Sequence, residues 1–139
     1  MNEFSKWFER SNGNWTSSRR YLYGPKRKAD TYNTKFSVNT EGSRVSISWE
    51  GDASDGSMNM IIDECMLRRD SGYFSDDPTD SAMTMIDENC VVFVTSYEGV
   101  TYREEIRLLA DDSYRLRQTV ATKDSGEVII VGQYFEERA

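Results

Sequence analysis

Two arginines separated by one residue, Arg115 and Arg117, are the side chains of this chain best suited by type and spacing to hold an anion. The stretch from Tyr97 to Val120 reads as strand, turn, strand, because β-branched and aromatic residues flank Ala110-Asp111-Asp112-Ser113, whose short polar side chains favour a turn. Side chains alternate along a strand, so Arg115, Arg117 and Thr119 share one face while Tyr114, Leu116, Gln118 and Val120 share the other. Two guanidinium groups then project side by side, each able to donate paired hydrogen bonds to a carboxylate or phosphate. The same pattern fits a solvated outer face. If the pair faces a ligand instead, exchanging both for Gln is expected to weaken binding and to change stability by about 1 kcal/mol or less.

What the chain lacks narrows the chemistry. Its 139 residues contain no His, which removes the commonest metal ligand and the commonest general base near neutral pH. The acidic turn Asp76-Asp77-Pro78-Thr79-Asp80 lacks the spaced carboxylates and closing Glu of an EF-hand loop, so no metal is expected there. A formal charge of −7 argues against nucleic acid or an anionic membrane surface as the main partner. No signal peptide is read at the start, and no apolar run has the length of a membrane span. Cys65 and Cys90 are therefore expected to be reduced thiols in a cytoplasmic protein.

These side chains need a scaffold, and the pattern predicts an all-β one in a single domain, residues 1–139. Phe4, Trp7 and Phe8 fall at i, i+3 and i+4, which predicts a short N-terminal helix capping one end. Strands are expected over residues 16–23, 32–38, 44–50, 58–67, 82–86, 91–97, 101–109, 114–122 and 127–135, joined by short turns. The basic run Lys26-Arg27-Lys28 reads as a solvated loop. About nine hairpin-linked strands close most economically into an antiparallel up-and-down barrel, which removes exposed edges and can enclose one small ligand. Gly13-Asn14-Trp15 after the helix resembles the first strand of calycin/lipocalin-like barrels, whose Trp plugs the closed end.

Beyond that tripeptide, the order of several segments resembles the S-type phycobiliprotein lyases (CpcS/CpeS-like). Phe8 to Arg19 is similar to that family's opening, and Ile47-Ser48-Trp49-Glu50-Gly51 to its V-S-W-E-G strand end. Leu67-Arg68-Arg69-Asp70-Ser71-Gly72-Tyr73 resembles its L-x-R-x-x-G-Y segment. Tyr97-Glu98-Gly99, Glu104-Glu105-Ile106-Arg107 and Tyr114-Arg115-Leu116-Arg117 resemble its Y-E-x, E-E-R and L-R-x-R hairpin, and Gln133 to Arg138 its Y-x-E-x-R ending. Two departures stand out. The 30–44 region is shorter than the family's, and Arg20-Tyr21 stands where a Thr-His pair is common, which bears on which bilin is held.

The resemblance implies a barrel that binds an open-chain tetrapyrrole (phycocyanobilin or phycoerythrobilin) and attaches it through a thioether to a cysteine of a phycobiliprotein subunit. No metal is expected in a chain without His, and no nucleic acid or membrane partner at a charge of −7; a homodimer is compatible with the resemblance. Under it, Arg115 and Arg117, with Arg19 as a third candidate, are expected to hold the bilin propionates. Glu50 and Glu136 are expected as the carboxylates facing the pyrrole nitrogens, and Trp49 and Tyr73 as stacking partners. Trp15 is expected on the barrel floor, and Glu104, Glu105 and Arg107 in a cross-strand charge pattern. The rival reading is a non-catalytic lipocalin- or fatty-acid-binding-like carrier, which would use the same barrel without an acceptor protein.

Overall fold

The computed structural model describes residues 2–24, 28–70 and 78–139, and for Lys28 the backbone alone. One helix, α1 (Glu3–Arg10), precedes ten strands: β1 (Gly13–Tyr23), β2 (Lys28–Glu41), β3 (Arg44–Gly51), β4 (Asp55–Asp63), β5 (Met66–Arg69), β6 (Thr79–Asp87), β7 (Cys90–Tyr97), β8 (Val100–Leu109), β9 (Tyr114–Lys123) and β10 (Val128–Arg138). Each strand pairs antiparallel with the next, and β1 pairs with β10 from Trp15↔Arg138 to Tyr23↔Ile130. The meander therefore closes on itself as a barrel. Nine strands were expected; the stretch 58–67 divides because Glu64 takes a positive φ of 54° and turns the chain between Asp63 and Met66. The Asp63-Glu64 pair inside that apolar run was the available signal.

α1 starts at Asn2, whose Oδ1 accepts from the Phe4 N–H at 2.7 Å and satisfies one of the free donors of the first turn. Phe4, Trp7 and Phe8 are buried, as their spacing predicts. Trp7 and Phe8 meet edge to face at 5.1 Å and both pack on Phe93 of β7, so the helix seals one end of the barrel. Arg10 fastens it there by donating to the Glu88 carbonyl at 2.7 Å and to Asp112 Oδ1 at 2.8 Å. Behind the helix, Trp15 is fully buried, donates from Nε1 to the Ser11 carbonyl at 2.8 Å and stacks on Phe36. This is the floor expected of it.

Candidate functional site: a charged cavity inside the barrel

Above that floor the inward side chains leave a cavity of about 490 Å³, within the usual range for small-ligand sites. Its walls are mostly apolar, including Val38, Ile47, Met58, Met60, Leu67 and Ile106. Two glycines make room for its aromatic lining. A Cβ on Gly56 would lie 2.5 Å from the Trp49 indole, and one on Gly132 would lie 3.0 Å from the Tyr134 ring and 3.1 Å from Tyr21. Trp49 thus lies across the strand beside it, facing the cavity, with Nε1 directed to Ser54 Oγ at 3.3 Å. Tyr21 meets Tyr134 edge to face at 5.5 Å.

Four arginines, Arg19, Arg69, Arg115 and Arg117, and one carboxylate, Glu104, line this space. The alternation along β9 holds: Arg115 is 4 % exposed, whereas Leu116 is 44 % exposed on the outside. The arginine face is therefore the inner one. Its partners are not free anions, however. Arg115 Nε donates to Glu136 Oε1 at 3.0 Å, and Arg117 Nη1 lies 3.6 Å from Glu136 Oε2. Arg117 Nη2 donates to Glu104 Oε2 at 2.8 Å. The result is an alternating row, Glu104, Arg117, Glu136, Arg115, built across β8, β9 and β10 by registers that set Glu136 opposite Arg115 and Glu104 opposite Thr119. Burial pulls Arg115 below the ordinary guanidinium range, against the opposing pull of Glu136. It stays charged, as guanidinium groups in proteins do.

Several expected roles change on these positions. Glu50 is exposed on the outer wall beside Lys35, because Trp49 takes the inward position of that strand. It does not reach the cavity. Glu136 is inward and fully buried, but it lies beneath the arginines and is not part of the lining. Tyr73 lies outside the described residues, as do Lys26, Arg27, Asp76 and Asp77. Of the departures, Arg20 is outward and Tyr21 lines the cavity.

Sequence reasoning gave Glu104 a cross-strand charge role, which its pairing with Arg117 fits, but did not place it in the cavity. Glu104 shares the inward face with Ile106 and Leu108, two and four residues on, and that alternation was the available signal. Burial alone would push its carboxyl up, but the charge and hydrogen bond of Arg117, the charge of Arg69 and the Thr119 hydroxyl together hold it below the ordinary carboxylate range. Both of its hydrogen bonds end on Oε2, and Oε1 makes none among the described residues. Arg19 differs from its neighbours on β9: Nε donates to Ser17 Oγ at 3.1 Å, its guanidinium carbon lies 5.2 Å from the Tyr134 ring, and it makes no ion pair among the described residues. Glu105 and Arg107 lie apart from this row, and Arg107 pairs with Asp87 at 2.8 Å.

Among the described residues no cluster of three or more His, Cys, Asp or Glu is placed to hold a metal ion, and no helix is long and apolar enough to cross a membrane. Both cysteines are free thiols, Cys65 exposed and Cys90 buried. Burial pushes the Cys90 thiol up, which suppresses its thiolate. A thiol reagent added to the folded protein is expected to modify Cys65 and to leave Cys90 untouched until denaturant is added. Mass spectrometry of the labelled peptides checks this, and rapid native labelling of Cys90 would contradict the burial.

The chain is similar to proteins already named. Residues 57–139 match the family model described as CpeS-like protein. Over 73 residues the chain is 32 % identical to a Nostoc sp. protein provisionally named phycocyanobilin lyase CpcS 2, covering 52 % of this chain and 39 % of that one. The chain spans about two fifths of the length of the curated relatives it matches. The S-type phycobiliprotein lyase CPES from Guillardia theta superposes with a TM-score of 0.77 over 100 % of this chain and 93 % of that one, at 20 % identity. A variant of the fluorescent protein UnaG gives a TM-score of 0.58 over 94 % and 97 % of the two chains, at 14 % identity. The two structural likenesses concern the fold.

Proposed function

Because the chain belongs to the CpeS-like family, we propose that its barrel binds an open-chain tetrapyrrole and presents it to a cysteine of a phycobiliprotein subunit for thioether attachment. One observation carries this reading: a single cavity combines aromatic and apolar walls with Arg19, which makes no ion pair among the described residues, and with Glu104, whose Oε1 is likewise unbonded among them. A bilin has matching parts, namely a flat conjugated body, two propionates, and pyrrole nitrogens that become cationic on protonation. Arg19 is the primary propionate anchor, since a carboxylate arriving at Arg115 would have to compete with Glu136 in the interior. Glu104 takes the position facing the nitrogens that was expected of Glu50 and Glu136. Trp49 and Tyr21 flank the conjugated body.

In the transfer, the acceptor's sulfur adds to an exocyclic double bond of the bilin and the tetrapyrrole takes up one proton. No electron donor or acceptor is needed. The barrel's share is orientation, exclusion of competing nucleophiles and control of that proton. The two free cysteines suit a reducing compartment such as the cytoplasm. Mixing the protein with phycocyanobilin and with phycoerythrobilin is expected to give a red-shifted, sharpened absorption band, and adding the acceptor subunit to move the chromophore onto it covalently. An unchanged spectrum at excess protein would overturn the reading. A shifted band with no adduct on the acceptor would leave a carrier.

A further inference from the structure

We propose that Arg69 is a second anion-binding arm of this cavity, aimed by Ser81 and Thr95, so that a ligand must carry two carboxylates to engage both it and Arg19. The inference rests on the bilin reading and adds to it a reason for selecting the diacid.

Arg69 ends β5, the four-residue strand, and shares the inward face with Leu67 two residues earlier; the two are 8 % and 1 % exposed. A guanidinium placed so deep is costly unless its donors are met. Here Nη1 donates to Ser81 Oγ, and the Ser81 hydroxyl is in turn hydrogen-bonded to Thr95 Oγ1. Ser81 and Thr95 are themselves 0 % and 3 % exposed, on β6 and β7. Two buried hydroxyls on two strands thus fix the direction of a long, otherwise flexible side chain.

The position across the barrel gives the arm its use. In the closed strand order β5 lies four steps from β1 one way round and six the other, so Arg69 and Arg19 stand on facing walls of one cavity. The positive charge of Arg69 also reaches Glu104, whose carboxyl it helps to hold below the ordinary range. Among the described residues the four lining arginines stand with two carboxylates, Glu104 and the Glu136 beneath, so these six groups together carry a net charge of +2. Two carboxylates crowded onto Arg19 alone would repel each other. Facing arms accept one each.

The test compares phycocyanobilin with its dimethyl ester by absorption titration, using the wild-type chain and Arg19→Gln, Arg69→Gln, Arg69→Lys and Ser81→Ala variants. Arg69→Gln is expected to weaken the diacid about ten- to a hundredfold, the effect of one lost charge-assisted hydrogen bond, and to leave the ester unchanged. Arg69→Lys restores part of the loss, Ser81→Ala gives a smaller loss confined to the diacid, and adding Arg69→Gln to Arg19→Gln weakens the diacid further. Unchanged ester binding shows that a variant's cavity is intact even if it melts earlier. Diacid binding by Arg69→Gln as tight as wild type, or an equal loss for diacid and ester, would overturn this inference alone. Failure of the wild-type chain to bind either form would overturn the bilin reading and this inference with it.

Discussion

Replacing Arg115 with Gln is expected to cost about 3–5 kcal/mol of folding stability, the loss seen when one member of a buried ion pair is removed. The Glu136 side chain is fully buried and that of Arg115 is 5 % exposed, so among the described residues the carboxylate left behind would keep only Arg117, at 3.6 Å. Urea denaturation of the variant and the wild type measures the difference. A second variant separates lost charge balance from lost packing: Arg115→Met combined with Glu136→Met removes both charges, keeps apolar bulk, and is expected to recover most of the stability. A cost below about 1 kcal/mol for Arg115→Gln, the figure suited to an arginine held only for a ligand, would contradict the row of alternating charges.

Glu104→Gln is expected to have the largest effect on chemistry. A bilin bound to this variant should lose the band of its protonated form, and transfer to the acceptor should slow by about 10²–10⁴-fold, the range for a lost general acid or base. Glu136→Gln should keep the band, because Glu136 lies behind the cavity lining. The same residue predicts a pH dependence without ligand. Glu104 has a lower pKa in the fold than in the unfolded chain, so its stabilising contribution is fully present above the ordinary Glu value of about 4.3 and is lost as pH falls through the lower folded value. Melting temperature followed downward from neutral pH should therefore fall in that acid window for the wild type. Glu104→Gln should remove this part of the fall. A variant with an unaltered chromophore band would move the proton-controlling role away from Glu104.

Most of the architecture was legible because its determinants are local. Period-two alternation placed Arg115 with Arg117 and set both against Leu116, and the i, i+3, i+4 spacing of Phe4, Trp7 and Phe8 gave the helix its buried face. Short polar turns between alternating runs implied hairpins, and a meander of many hairpins implied closure. Strand ends were less legible, since β2 runs to Glu41 through residues with turn chemistry, and pairing with β3 overrides that preference.

The site divides along the same line. Alternation by itself fixed which side chains share a face, including Glu104 with Ile106 and Leu108, and it put Glu50 opposite Trp49. It could not say which face is inside, because the two faces of β9 carry comparable mixtures and only closure of β1 on β10 turns one of them inward. Nor could it say whom each charge meets. Arg115 and Glu136 lie 21 residues apart, and Arg19 and Tyr134 are separated by most of the chain. Their meeting depends on strand register and ring closure, which are properties of the whole sheet. Spacing thus determined which arginines share a face, and the tertiary structure decided that two of them are held by carboxylates of the protein itself while Arg19 faces the cavity without an ion pair among the described residues.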